Sequence, residues 1–293
     1  MSNPLGTNQV LQGAQPARSQ RTQAAIADAA QRTGVDFGYL LAQARIESGL
    51  NPAARARTSS ATGLFQFLDQ TWLATLDRHG ERLGFGQLAQ AIDTSGGRAR
   101  ITDPAMREAI MGLRYDPGAS ALMAGALAGD NTAALEQVLG RTPDASELYL
   151  AHFLGPDGAS RMLTTLQTAP DTPAASLLPS AAHANRGIFY GEGGAARSVA
   201  QVMGVIRSRM ANAMEQGFEL PAGSLDTVPL PGQPNGQPQR TFSTPALPQV
   251  ASLPPPGSGS MADLIGQTFG NSGNSPAQAH VRRAYARLSA LGM

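Results

Sequence analysis

Glu47 stands where a helix would place a buried residue. Residues 36–48 predict a helix with an apolar stripe, and Glu47 lies about 20° from Leu40 of that stripe on the helical wheel. A carboxylate on a buried face is either paired with another group or has its pKa raised by desolvation. A protonated carboxylic acid of this kind is the proton donor that cleavage of a glycosidic bond requires. The spacing also suits a glutamate at a helix end that simply reaches solvent.

Two short elements near Glu47 favour the first interpretation. The chain reads ESGLNP from Glu47 and GLFQF from Gly63, with a Thr-Trp pair at 71–72. In combination these elements resemble the signature of the soluble lytic transglycosylases of glycoside hydrolase family 23, which belong to the lysozyme-like superfamily. The resemblance implies a mainly α, lysozyme-like catalytic domain. It also implies that Glu47 is the catalytic acid and base and that Gln66 lines the sugar-binding groove.

Weaker matches extend the resemblance along the chain. The Tyr-Asp-Pro segment at 115–117 and the small-residue helix after it are similar to a family segment that leads into a buried helix. Residues 148–156 are similar to the family segment that carries an aromatic residue of the groove. Together the matches cover roughly residues 23–165.

One departure concerns the hydroxyl group that the family places between its glutamate and its glutamine. Here Glu47 and Gln66 are 19 residues apart, one more than is usual in the family. The hydroxyl is therefore either Thr58 or Ser59. Together with Ser48, these side chains are candidates to orient the carboxylate or an acetamido group of the substrate.

A second departure concerns the aromatic residue of the groove. Aligning the two segments puts His152 where the family usually has tyrosine, and Tyr149 lies about one helical turn earlier. Either residue, or both, can line the groove. Phe65 and Phe67 are predicted to form the floor of the groove or the core beneath it.

The region offers one good carboxylate. Asp69 has the position of a helix N-cap, and Asp77 and Glu81 are expected to be solvated near a helix end. Most glycosidases need a second carboxylate, but the route proposed for the family uses one glutamate, first as acid and then as base. The predicted function is therefore cleavage of peptidoglycan with formation of a 1,6-anhydromuramic acid end. The alternatives are a hydrolytic muramidase and a catalytically weak glycan-binding assembly protein.

Composition excludes several other classes. The chain of 293 residues has 22 Lys and Arg against 21 Asp and Glu, which argues against nucleic-acid binding by bulk charge. It has no cysteine, so disulfides, thiolate metal sites and a cysteine nucleophile are excluded. Its four histidines are scattered without ligand-type spacing. We expect no metal, no cofactor and no membrane span.

The sequence divides into four parts. We predict a disordered segment at 1–19, the catalytic domain at 20–217, a proline-rich linker at 218–260 and a helical tail at 261–293. Between residues 221 and 260 lie ten of the 21 prolines, a composition typical of linkers. The tail has apolar residues at helical spacing, so it is either a solvated or back-docked helix or a docking segment for a protein partner.

Within the catalytic domain, apolar spacing predicts helices almost throughout. They are expected at 23–31, 36–48, 69–80, 103–113, 118–129, 131–139, 144–154, 157–167 and 195–216. Residues 186–191 form the one strand-like segment. The predicted class is mainly α.

Localisation follows from the expected substrate. Peptidoglycan lies in the periplasm or cell envelope, yet the first 24 residues lack the apolar core of a secretory signal. Two explanations fit: export by a specialised machine, such as a flagellar or secretion apparatus, or a wrongly chosen start codon that removes a signal.

Overall fold

The computed structural model describes residues 6–216, and this part of the chain is almost entirely helical. Its α-helices are α1 (Gly6–Thr33), α2 (Phe37–Ser48), α3 (Asp69–Leu83), α4 (Gly86–Gln90), α5 (Pro104–Gly112), α6 (Pro117–Leu139), α7 (Ala145–Thr168), α8 (Ala174–Leu177), α9 (Pro179–Ala184), α10 (Arg186–Phe189) and α11 (Val199–Glu215). Short 3-10 turns occur at Leu113–Tyr115 and Glu192–Gly194. Within residues 6–216 extended backbone pairs only in isolated bridges. The predicted mainly α class is confirmed.

Three elements differ from the prediction. α1 begins at Gly6, inside the segment 1–19 that we expected to be disordered, because its glutamine, alanine and arginine residues readily extend a nucleated helix. The helices predicted on either side of residue 130 are one helix, α6. Residues 186–189 are helical, and Ile188 and Phe189 are both buried. The predicted linker and tail lie outside the described residues.

Helix α2 carries Glu47 and has a defined start and end. Asp36 caps its N-terminus by accepting a hydrogen bond of 2.8 Å from the Tyr39 amide. Gly49 ends it in the left-handed conformation at φ 61°, which glycine adopts without strain. The helix packs against α1, α6 and α11, and it is tied to α11 by a hydrogen bond of 3.1 Å from the Arg45 guanidinium to the Ala213 carbonyl. The candidate acid therefore sits on a rigid element.

Helix α6 is the centre of the domain, and α1, α3 and α7 pack around it. Small residues let these helices approach closely. At Gly125 an added Cβ would overlap the Thr33 side chain of α1. Asp116 caps the helix by accepting from the Ala119 amide at 2.8 Å, and Pro117 occupies its first turn. The close packing of α7 on α6 fixes the helix that faces Glu47.

The buried side chain of Arg114 holds the loop between α2 and α3 in place. Its guanidinium donates to the carbonyls of Ser60 at 3.0 Å and Phe67 at 3.1 Å, and to the Asp69 carboxylate at 2.8 Å. Burial lowers the pKa of Arg114, and the charge of Asp69 opposes that shift. Gly63 passes directly over the Arg114 backbone at φ +85°, where a Cβ would overlap the carbonyl oxygen. These contacts set the path of the GLFQF element.

Candidate active site

One oxygen of Glu47 meets two side chains from α7. The Tyr149 hydroxyl donates to Oε1 at 3.0 Å, and His152 Nε2 lies 3.3 Å from the same oxygen. The Glu47 side chain is 19% exposed and that of His152 is 16% exposed, whereas Tyr149 is buried. The structure thus brings together the candidate acid and both residues between which the sequence left the choice open.

The start of α7 is fixed by a capping box. Asp144 accepts from the Glu147 amide at 2.9 Å, and the Glu147 carboxylate accepts from the Asp144 amide at 2.9 Å. Glu147 is buried and forms a bidentate pair with Arg141, with both distances 2.7 Å. The Arg141 hydrogen bond lowers the pKa of Glu147, and burial opposes the shift.

Tyr149 and His152 follow at a spacing of one turn, and their rings stack with centroids 5.8 Å apart. The helix then breaks at Gly155, whose φ of 74° and ψ of 162° are not helical, and Pro156 follows. The half of α7 that carries both rings therefore ends at Leu154. Stacking and the fixed helix start together determine where the two rings stand.

The protonation of the tyrosines near Glu47 follows from burial. Burial raises the pKa of Tyr149, and the charge of Glu47 and the hydrogen bond to it raise that pKa further. The phenol therefore stays protonated and donates to the carboxylate. Burial and the charge of Glu47 also raise the pKa of Tyr39 on α2. The Tyr39 hydroxyl is buried without a hydrogen-bond partner among the described residues.

Ser48 connects α2 to the GLFQF element. Its hydroxyl lies 2.7 Å from the Leu64 carbonyl and 3.0 Å from the Ala44 carbonyl. Gln66 is half-buried, has a left-handed φ of 48°, and donates from Nε2 to the Gly63 carbonyl at 2.9 Å. Within residues 6–216 its Oε1 accepts no hydrogen bond, which leaves that oxygen available to a ligand. Ser48 was predicted to orient the carboxylate or an acetamido group of the substrate, and in the structure its hydrogen bonds go to backbone carbonyls.

Within residues 6–216, no hydrogen bond or ion pair joins the remaining predicted site residues to Glu47. Thr58 and Ser59 are exposed, and Ser59 accepts from the Ala61 amide at 3.3 Å. Phe65 has no exposed surface and belongs to the core. Of the two positions predicted for its ring, the floor of the groove or the core beneath it, the ring occupies the core, so Phe65 presents no surface to a substrate. It forms the core beneath the loop.

No second carboxylate reaches Glu47 among residues 6–216. Asp69 is engaged by Arg114 at 2.8 Å and by Arg107 at 3.5 Å. It is the first residue of α3 and makes no N-cap hydrogen bond, so the predicted capping role was wrong. Asp77 is half-buried and Glu81 is exposed on the same helix. The site thus contains one carboxylate with two partners.

A comparison with protein families gives an independent finding on this region. Residues 24–89 match the Transglycosylase SLT domain. The match includes Glu47 and Gln66, and it ends before the two rings of α7. It confirms the resemblance to lytic transglycosylases that the ESGLNP and GLFQF elements indicated.

The SLT match supports a peptidoglycan-cleaving function of the lytic transglycosylase type and implies a peptidoglycan substrate, which lies in the cell envelope. None of the helices within residues 6–216 combines the length and the apolar character needed to cross a membrane. The same residues hold no cluster of three or more acidic or histidine side chains arranged for a metal ion.

Sequence reasoning did not single out Tyr39. It lies eight residues before Glu47 on α2, about two helical turns away. Its position among apolar residues of the helix was the available signal, because a buried tyrosine normally needs a partner for its hydroxyl. The contact between α2 and α7 could not be read from the sequence.

Proposed function

We propose that this protein is a peptidoglycan lytic transglycosylase in which Glu47 acts first as acid and then as base. It cleaves the β-1,4 bond between N-acetylmuramic acid and N-acetylglucosamine and leaves a 1,6-anhydromuramic acid end. The observation that carries the proposal is the partly buried Glu47 carboxylate with Tyr149 and His152 on one oxygen and no second carboxylate in contact with it in residues 6–216.

Each residue has a role that its contacts support. Protonated Glu47 gives its proton to the glycosidic oxygen, and the resulting carboxylate then takes the proton of the C6 hydroxyl as the ring closes. The Tyr149 hydroxyl, which remains protonated, stabilises that carboxylate between the two steps. Gln66 offers its free Oε1 as an acceptor for a substrate N–H or hydroxyl group. The N-acetyl carbonyl of the substrate stabilises the positive charge on the sugar, so no water enters.

The decisive experiment is a digest of purified peptidoglycan followed by mass spectrometry. We expect 1,6-anhydromuramic products from the wild type and a loss of about 10²–10⁴-fold in rate for Glu47→Gln. Glu81→Gln is the matched control, because it removes an exposed carboxylate nearby without touching the site. Reducing-end muramic acid would assign a hydrolase instead. Absence of products from the wild type would favour a binding or assembly role.

The physiological part of the proposal is local remodelling of the cell wall around an envelope-spanning machine, with residues 261–293 as the docking segment. It rests on the sequence pattern of that segment. Fractionation of cells with and without a flagellar or secretion apparatus tests it. We expect the periplasmic level to depend on the apparatus, and an unchanged level would contradict this part alone.

A further inference from the structure

Two side chains of different chemistry share Glu47 Oε1. Tyr149 is a fixed donor, because its phenol does not ionise in the working pH range. His152 is different, since an imidazole can donate from Nε2, accept there, or carry a full positive charge. Its distance of 3.3 Å from Oε1 is within the range of an ion pair.

Both members of the pair are partly shielded from solvent, at 19% and 16% exposure. At this distance one proton can lie either on Oε1 of Glu47 or on Nε2 of His152. The ring of Tyr149, stacked on His152, limits how far the imidazole can turn away.

We propose that Glu47 and His152 share a single proton. His152 holds this proton in the free enzyme and transfers it to Glu47 when substrate binds. The pair has two forms with the same number of protons. In one, Glu47 is a carboxylate and His152 an imidazolium. In the other, the proton has moved from Nε2 to Oε1, which gives a carboxylic acid and a neutral imidazole.

The other charged and titratable groups around the pair leave its proton in place. Tyr39 of α2 and Tyr149 of α7 are neutral because burial raises the pKa of each. Arg209 of α11 is exposed, and its charge acts on Tyr149 in the opposite direction. Arg45 of α2 points to the Ala213 carbonyl of α11.

This inference rests on the proposed function in one respect, the effect of the substrate. A glycan that covers the pair removes water from it, and an ion pair loses more solvation than a neutral pair. Binding therefore shifts the proton from His152 to Glu47, which becomes the acid only when substrate is present. After ring closure Glu47 holds the proton of the C6 hydroxyl, and release of the product returns it to His152. No proton is gained or lost over the cycle.

The first test does not depend on activity. The ring nitrogen signals of His152 are followed against pH by NMR in the wild type and in Glu47→Gln. We expect two inflections in the wild type and one in the variant, with the midpoint of the variant at lower pH because the negative partner is gone. A single inflection at the same midpoint in both proteins would overturn the proposal, whatever the enzyme does.

The second test uses the pH profile of kcat/KM. His152→Gln keeps a donor at the end of the side chain but cannot hold a proton. We expect the high-pH limb to move to lower pH by up to about 2 units, the interval between the ordinary values of histidine and glutamate. An unchanged profile in a folded variant would overturn the proposal, and thermal unfolding checks that the variant is folded.

The matched control is His79→Gln. His79 is also half-buried, at 15% exposure, and its Nε2 lies 2.9 Å from the Asp130 carboxylate on a different part of the domain. The His79→Gln variant should have the same pH profile as the wild type. A shift equal to that of His152→Gln would show a general loss of charge and would overturn the assignment to the Glu47 pair.

Discussion

The Ser48 hydroxyl lies 2.7 Å from the Leu64 carbonyl, so the residue after the candidate acid fastens α2 to the loop that carries Gln66. Ser48 and Leu64 are 16 residues apart along the chain, so only the fold brings them into contact. This hydroxyl group therefore contributes to the relative position of the carboxylate and the Gln66 amide.

Ser48→Ala is expected to loosen this connection. The Leu64 carbonyl loses its partner, which costs about 1 kcal/mol in the free energy of unfolding, measured by urea denaturation. The rate of peptidoglycan cleavage should fall as well, because Gln66 is no longer held relative to Glu47. The exposed Ser208→Ala on α11 is the control and should leave the rate of cleavage unchanged. A stable Ser48 variant with full activity would contradict the role of this hydrogen bond.

Gly63→Ala tests the path of the loop over Arg114. An alanine there must adopt φ +85° and overlaps the Arg114 carbonyl oxygen, so we expect a loss of about 3 kcal/mol or more in unfolding free energy. Gly97 also has a positive φ, +74°, but has no atom within 4 Å of an added Cβ. Gly97→Ala should therefore cost only about 1 kcal/mol. Equal losses in the two variants would mean that the overlap does not matter.

Tyr149→Phe removes the fixed donor to Glu47 Oε1. A hydrogen bond to a carboxylate contributes about 1.5–3 kcal/mol, so we expect kcat to fall about 10- to 100-fold. The reduction should appear in kcat and less in KM, because in the substrate complex the carboxylate forms only after the first proton transfer. A change confined to KM would assign Tyr149 to substrate binding instead.

Tyr39→Phe should stabilise the domain. The Tyr39 hydroxyl is buried and has no partner in residues 6–216, so its removal relieves a desolvation cost. We expect the free energy of unfolding to rise by about 1 kcal/mol. A fall in thermal stability would indicate that a water molecule satisfies the hydroxyl.

The free energy of unfolding of the domain should fall at acid pH because Glu147 becomes protonated. Hydrogen bonding to Arg141 lowers the pKa of Glu147 in the folded state below its ordinary value. The contribution to stability is therefore fully present above that ordinary value of about 4.3 and is lost as pH falls through the lowered folded value. Glu147→Gln should be less stable at neutral pH and should have a flatter profile below about pH 5. Urea unfolding at several pH values measures both, and parallel curves would contradict this assignment.

Much of the fold could be predicted because it depends on local patterns. The helices predicted at 36–48 and 195–216 rest on short-range apolar spacing, and the structure contains both as α2 and α11. α1 was predicted too short, because a helix of polar residues without an apolar stripe gives no periodic signal. The strand predicted at 186–191 was wrong for the reverse reason, since two adjacent apolar residues fit a strand and a buried helical turn equally well.

The site could be predicted only in part. Glu47 could be identified from its own helix, because a charged residue on an apolar stripe is unusual. Its partner Tyr149 is 102 residues away along the chain, and no local pattern reports which helix will pack there. For Phe65 the choice between the groove floor and the core stayed open, because a spacing does not reveal on which side of a turn a ring points.

The break at Gly155 has an electrostatic consequence at the site. A helix carries partial negative charge at its C-terminal end, where the last carbonyl groups lack partners. Because the first half of α7 ends at Leu154, that negative end lies at His152, to whose carbonyl Pro156 has no N–H to donate. An unbroken helix would place the same end near Thr168, about 20 Å further on. The break therefore places the partial negative charge of a helix end within one turn of the two rings that face Glu47.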